Sequence, residues 1–410
     1  MRSREEVRKG YNFNRIAIGI IRILFGWIIC LISNFRCTHY SPKNKAYLVL
    51  SNHTMNLDPI FDVIVLRRFV RFVASANIMR GFPGCFVKWL ANPIPRQKGG
   101  SADDVIVAVK ESLAAGIPVA MYPEGNVTWD GETGFISRRT AELVKECEGG
   151  LITMHKIGGF FKTPRWSMVK RRGPVYGEVV AEYSREELDR MSVDEIYELI
   201  KRDLYLDAYE EQEKRHWKYR CRALAEGLEA SLYVCPECGT VGDLRSKGDT
   251  FSCGCGASWE FTDEGYLIPV SGREAEVRHA GLSDVPAELK DAEGRVSILD
   301  WSRWEKKFLR DNAGKLAACV KDPLCVDDGI RVYGDRLEIP NGIIENGPKE
   351  EGEYSTFRWE DIQKLSLFRS TRLFFTWKDQ IVEVHIDASK ENIGIRYYAL
   401  WRICTGREYI

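Results

Sequence analysis

The longest apolar run in the chain is Ile16–Ser33, IAIGIIRILFGWIICLIS. As a helix it would reach about 27 Å, just short of a ~30 Å hydrocarbon core. Arg22 interrupts the run, and a charge there is costly for a spanning helix. Arg8, Arg15 and Arg22 recur at intervals of seven and would form one basic stripe. The pattern predicts a helix lying in a membrane interface, its arginines reaching for lipid phosphates. A buried core helix is the alternative. No small-x-small site follows the run, which argues against a cleaved leader. Arg2, Arg4, Arg8 and Lys9 precede it, and Arg36, Lys43 and Lys45 follow. Two basic flanks suit a helix with both ends on the cytoplasmic side.

From Lys45 the pattern changes to short apolar strands alternating with amphipathic helices. Ala46–Leu50 reads as a buried strand. Asp58 is expected to cap a helix over Ile60–Val70, with Pro59 at its first position. Ser101 with Asp104 should open a helix that carries Val105, Ile106, Val109 and Leu113 on one face and ends at Gly116. Pro118–Tyr122 reads as the next strand, running into Pro123-Glu124-Gly125. This alternation predicts an α/β fold, a central sheet flanked by helices, with chemistry in the loops at strand ends. Residues 182–232 are charged and helical in period, and 271–298 read as a polar linker. Trp301–Asp311 should be a helix, Ile330–Ile339, Lys364–Trp377 and Gln380–Ile386 strands, and Asn392–Cys404 a closing helix. The expected organisation is a membrane-associated segment (1–40), an α/β domain (41–215), a cysteine-bearing segment (216–270), a linker (271–300) and a β-rich domain (301–410). In the last, Trp359-Glu360-Asp361-Ile362 with Leu365 and Leu367 resembles the entry strand of pleckstrin-like domains.

Composition sharpens this. The 410 residues are 44% hydrophobic and 29% charged, as in ordinary globular proteins. A mean hydropathy of −0.28 excludes a polytopic membrane protein. The formal net charge is zero but unevenly spread: residues 1–180 hold 26 Lys+Arg against 14 Asp+Glu, and residues 181–410 hold 33 against 45. A basic front half suggests an anionic partner.

Twelve cysteines are too few for a disulfide scaffold of this length. Four cluster, in Cys235-Pro236-Glu237-Cys238-Gly239 and Cys253-Gly254-Cys255-Gly256. The first turn aims two thiolates at one point, and the second pair can close a tetrahedron around Zn²⁺. Free thiols or a redox pair are the alternative. With four cysteine ligands and no open position, the metal would be structural, stabilising a segment too small for a good apolar core.

The candidate chemistry lies in Ser51-Asn52-His53-Thr54-Met55-Asn56-Leu57-Asp58-Pro59. On one continuous helix His53 and Asp58 would point about 140° apart. They meet only if His53 lies in the loop and Asp58 at the helix start. Asp58 could then hold the imidazole tautomer and make His53 a general base; otherwise it merely caps its helix. Two further elements follow: Pro93-Ile94-Pro95-Arg96-Gln97-Lys98-Gly99 and Tyr122-Pro123-Glu124-Gly125-Asn126.

In this order, after an apolar helix, the three elements resemble the motifs of the glycerolipid acyltransferase family, which includes the 1-acyl-glycerol-3-phosphate acyltransferases. The first family motif, N-H-x-x-x-x-D, is matched by Asn52, His53 and Asp58. The second carries an Arg, matched by Arg96. The third, F-P-E-G-T-R, is matched by Pro123, Glu124 and Gly125, with Tyr122 in place of Phe. The likeness covers roughly residues 15–190. It implies transfer of an acyl group from acyl-CoA or acyl carrier protein to a lysophospholipid hydroxyl at a phospholipid surface, with His53 as base and Asp58 orienting it. It implies acceptor contacts from Arg96, Lys98, Glu124, Gly125 and Asn126. Glu124 would meet glycerol hydroxyls or position an Arg or Lys. Asn126-Val127 stands where the family has Thr-Arg, which leaves a diester lysolipid open beside 1-acyl-glycerol-3-phosphate. A second basic stretch could compensate: Lys162, Arg165, Lys170, Arg171 and Arg172, among Phe160, Phe161 and Trp166. It would either touch lipid phosphate or form a solvated face. The expected location is the cytoplasmic face of the cell membrane, peripheral or monotopic. A different reading is a non-catalytic zinc-ribbon adaptor on an acyltransferase fold. Nucleic acid is not an expected partner, because the cysteine segment lies in the acidic half.

Overall fold

Strand β2 (Tyr47–Ser51) is buried along its whole length, because both of its faces are covered. Tyr47 and Val49 join one apolar cluster, with Phe61, Val65 and Phe72. Leu48 and Leu50 join another, with Val109, Leu113, Leu143 and Ile200. Alternate residues of one strand thus feed two layers, as expected of a sheet between helices. The computed structural model describes residues 4–79, 81–96, 103–167, 169–271, 289, 291–327, 329–368, 372–385 and 395–407. Lys98, Ser101, most of the expected linker and the expected start of the last helix at Asn392 lie outside these residues.

The chain divides into two compact units, Met1–Lys162 with Arg172–Trp217, and Thr163–Arg171 with Lys218–Ile410. In the first unit the strands are β1 (Phe35–Cys37), β2, β3 (Arg71–Ser75), β4 (Ile94–Arg96), β5 (Val119–Met121), β6 (Gly150–Ile157) and β7 (Val175–Tyr183). They form one seven-stranded sheet in the order β1-β7-β6-β2-β5-β3-β4. All neighbours are parallel except β6 and β7. The helices are α1 (Arg4–Ile32), α2 (Asp58–Val65), α3 (Gly81–Ala91), α4 (Asp103–Ala114), α5 (Arg138–Glu146), α6 (Gly159–Lys162), α7 (Arg185–Arg190), α8 (Val193–Leu204) and α9 (Ala208–Arg215). Gly116 follows α4 at φ +74, a conformation that ends a helix.

Two expectations shift. Asp58 does not cap α2; it is the first helical residue, Leu57 precedes it as the cap, and the Asp58 side chain turns back into the loop. The helix also stops at Val65 rather than Val70, with Arg67 in a left-handed conformation at φ +50.

The Gly10–Ile32 part of α1 is long and apolar enough to cross a membrane, its most apolar 18-residue window having a mean hydropathy of 2.2. One stripe faces the unit. Tyr11 Oη donates to the Phe69 carbonyl at 2.8 Å. Asn14 Nδ2 donates to the Trp89 and Leu90 carbonyls at 3.0 and 2.7 Å. Ile18, Ile29 and Cys30 pack on the core, and the Ser33 carbonyl just past the helix accepts from Lys162 Nζ. The remaining faces expose Ile16, Ile20, Ile23, Leu24, Trp27 and Leu31.

In the second unit a five-stranded antiparallel sheet runs through the cysteine segment, from Leu244–Lys247 to Val296–Ser297. Two four-stranded antiparallel sheets follow, and the helix Arg396–Cys404 ends the unit. The expected helix at 301–311 begins earlier, at Ile298, with Ser297 as its cap.

Candidate active site

β2, β5, β3 and β4 run parallel, so their C-terminal ends share one edge of the sheet. The three sequence elements leave from that edge: Asn52-His53 after β2, Tyr122-Pro123-Glu124 after β5, and Arg96 at the end of β4. Topology, not sequence proximity, brings them together.

Asn52 fixes the loop root. Its side chain accepts from the Lys156 N–H at 2.7 Å and donates to the Lys156 carbonyl at 2.9 Å. His53 follows, and its Nδ1 lies 2.9 Å from Asp58 Oδ2. Asp58 is fully buried and its Oδ2 also accepts from the N–H groups of Thr54 and Met55, at 2.7 and 3.0 Å. Three donors on one oxygen hold an anion in place and fix the imidazole with its proton on Nδ1. Nε2 is then left with a lone pair, and the side chain is 19% exposed. The arrangement can accept a proton from a group that reaches the imidazole.

The same loop is held from the far side. Glu124 Oε1 accepts from the His53 N–H and Oε2 from the Gly134 N–H, both at 2.7 Å. The His53 carbonyl accepts from the Thr128 N–H at 3.0 Å. Burial pushes the Glu124 carboxyl up to about 7, against the opposing pull of the two N–H donors. Each Glu124 oxygen thus clamps backbone. That is a different arrangement from the expected partner of glycerol hydroxyls or of an Arg. Gly125 adopts φ +70 in a tight turn closed on the Tyr122 carbonyl at 3.0 Å. A β-carbon there would lie 3.8 Å from Arg96 Nη1, so the guanidinium sits over this glycine. Arg96, Gly125 and Asn126 are exposed at the sheet edge.

Behind His53 lies a network that motif reasoning did not identify. The Tyr122 ring stacks on the imidazole, centroids 4.3 Å and planes 16° apart. Its hydroxyl donates to Asp62 Oδ2 at 2.7 Å. Asp62 Oδ1 takes Lys156 Nζ at 2.7 Å, and that ammonium also donates to Ser51 Oγ. Lys156 and Asp62 are both fully buried. Burial raises the Asp62 carboxyl while Lys156 and Tyr122 lower it. A signal was present: Lys156 is the single formal charge in the apolar strand Gly150–Ile157, and Asp62 sits within an apolar helix. His155 is largely buried, and burial lowers its pKa.

Lys162 is buried, donating to the Ser33 and Gly173 carbonyls. Arg165 falls in the second unit, where Nη2 donates to the Leu367 carbonyl at 3.4 Å and burial lowers its pKa to about 10. Arg171, also buried there, lies 4.7 Å over the Trp166 ring and donates to the Leu224 carbonyl. Each of the three donates to a backbone carbonyl, and with Lys162 and Arg171 buried and Arg165 half-buried they do not form a solvated face. Lys170 and Arg172 are exposed.

In the second unit the sulfurs of Cys235, Cys238, Cys253 and Cys255 all lie within 4.8 Å of one another. Cys235–Cys255 and Cys238–Cys253 are 3.9 and 3.7 Å apart. A tetrahedron with metal–sulfur bonds of about 2.3 Å requires sulfurs roughly 3.8 Å apart, so the four thiols fit a metal such as Zn²⁺. Gly239 (φ +68) and Gly256 (φ +99) turn the chain after each pair.

Residues 33–159 match the family model described as Acyltransferase. The chain is similar to the crystal structure of the 1-acyl-sn-glycerophosphate (LPA) acyltransferase, PlsC, from Thermotoga maritima. The identity is 18% over 52% of this chain and 85% of that one, with a TM-score of 0.37. No curated protein matches the chain.

Proposed function

We propose that the first unit transfers an acyl group from an acyl thioester, acyl-CoA or acyl carrier protein, to the free hydroxyl of a lysophospholipid. The observation that carries this is the His53 Nδ1–Asp58 contact, which leaves Nε2 free of that bond on a partly exposed side chain, in a segment that matches the acyltransferase family model. Nε2 takes the hydroxyl proton as the oxygen attacks the thioester carbonyl. The tetrahedral adduct collapses with loss of the thiolate, which is protonated by the imidazolium. Asp58 stabilises that imidazolium. No acyl-enzyme is required, so no nucleophilic Ser or Cys is needed. A carboxylate cannot donate to a phosphate, which suits Glu124 as a clamp of the His53 loop. Arg96, over Gly125, supplies the fork for a phosphate oxygen, with Asn126 beside it and Lys98 two residues beyond Arg96.

The acceptor is a phosphate-bearing lysolipid, 1-acyl-glycerol-3-phosphate first. Val127, where the family has Arg, removes one charge-assisted hydrogen bond, on the order of 1.5–3 kcal/mol, and favours diesters by comparison. The second unit binds one structural Zn²⁺ through its four cysteines, with no open position for catalysis.

α1 lies along the membrane surface. Tyr11, two turns into the helix, and Ser33, just past its end, are about 33 Å apart along the axis, yet both are bonded to the same unit. A spanning helix would separate them by the bilayer. The cytoplasmic face is favoured, where acyl thioesters are made.

The test is product formation from radiolabelled acyl thioester with monoester and diester lysolipids. A monoester product supports the full reading. A diester preference above about tenfold, roughly 1.4 kcal/mol, replaces the acceptor while keeping the chemistry.

A further inference from the structure

We infer that α3 is a second membrane-contacting element, inserted beside α1 into the same lipid surface. It connects β3 to β4, the strand that ends at Arg96, and the sequence reading assigned it nothing. Phe86 and Trp89 on α3 are 56% and 59% exposed, although they are among the largest apolar side chains available for burial. They are not scattered. Trp89 meets Phe86 at 5.9 Å and Phe13 of α1 at 5.6 Å, and Phe13 is itself exposed. Asn14 ties the two helices rigidly, through the Trp89 and Leu90 carbonyls. The exposed face of α3 therefore continues the exposed apolar face of α1, the one helix among the described residues with the length and hydropathy of a membrane segment.

Charge placement selects a bilayer as the occupant. Lys88, next to Trp89 in the sequence of α3, and Arg15, two residues after Phe13 on α1, are exposed. An indole and a phenyl ring flanked by snorkelling cations match the region between acyl chains and phosphates. The consequence concerns delivery. α3 inserted at the surface places Arg96, five residues past its last turn, within the headgroup layer, where a lysolipid's phosphate lies.

The inference rests on the reading of α1 as a membrane helix, so the experiment separates the two. Full-length protein is bound to vesicles of phosphatidylcholine and phosphatidylglycerol in which the phosphatidylcholine carries brominated acyl chains, and tryptophan quenching is measured. No turnover is involved, so the result is independent of acyl transfer. Wild-type protein is compared with Trp89→Phe and Trp27→Phe, which keep the surfaces apolar. Each substitution is expected to remove part of the quenchable emission. Loss only in Trp27→Phe overturns the inference while α1 stands. Loss in neither overturns both. As a second arm, Phe86→Glu with Trp89→Glu should weaken vesicle partition by at least about tenfold, with an unchanged far-ultraviolet spectrum. Unchanged partition overturns the inference. So does vesicle-free self-association that this double variant abolishes, which would assign the face to a second copy of the chain.

Discussion

Tyr122 lies flat on the imidazole of His53, its centroid 4.3 Å away, and its hydroxyl is held by Asp62, a residue of the helix that Asp58 begins. The candidate base is therefore fixed in two directions: Asp58 holds its edge and Tyr122 its face. Tyr122→Leu should lower kcat about tenfold with KM little changed, in line with ~0.5–1.5 kcal/mol for a lost ring pair. Tyr122→Phe keeps the stack and should retain most of the activity, at a stability cost of ~1–3 kcal/mol for the unmade bond to buried Asp62. Steady-state kinetics and denaturant melts separate the two effects. Equal kcat in wild type and Tyr122→Leu would remove the stack from the account.

The Lys156–Asp62 pair should behave as a buried ion pair. Lys156→Met leaves an uncompensated carboxylate and should cost ~3–5 kcal/mol. Adding Asp62→Leu should restore much of that loss, as measured by urea unfolding. A double variant no more stable than Lys156→Met would show that the pair is not coupled.

Much of this site was legible in the sequence. His and Asp at this spacing require a loop–helix break, and the Asp-Pro pair places it; the structure has that break, one residue earlier than a capping Asp would give. The order of the three motifs suffices to suggest their convergence, since parallel strands put successive loops on one edge. The backbone partners of three cations were not legible. Lys162, Arg165 and Arg171 look like a surface patch in sequence, because nothing local shows that Ser33, Leu367 and Leu224 lie within reach. Glu124's clamp depends likewise on the His53 and Gly134 N–H groups, one of them on a loop 71 residues away.

Glu305 gives a pH dependence in the second unit. It is buried at the foot of the first cysteine turn, its Oε1 accepting from the Tyr233 and Val234 N–H groups at 2.6 Å. Burial raises its pKa from 4.5 to about 8 despite those donors. Between these values the native state holds a proton that the unfolded chain has released. This contribution is therefore fully present below pH 4.5 and is lost as pH rises to about 8. Glu305→Gln keeps the single accepting oxygen and should flatten that slope in melts taken across the window. An unchanged slope would assign it to other groups.

The four-cysteine site predicts one bound Zn²⁺ per chain by elemental analysis of protein purified without chelator. Chelation should raise hydrogen exchange across residues 233–260 and lower the melting temperature, while acyl transfer falls much less. Protein free of metal and equally protected there would contradict a structural metal.

The most direct measurement is acyl transfer on vesicles by wild type and His53→Ala side by side, with radiolabelled acyl thioester and 1-acyl-glycerol-3-phosphate. The account predicts a diacylated product from wild type and a loss of roughly 10²–10⁴-fold in His53→Ala, with vesicle binding unchanged. Wild-type turnover in His53→Ala would contradict it.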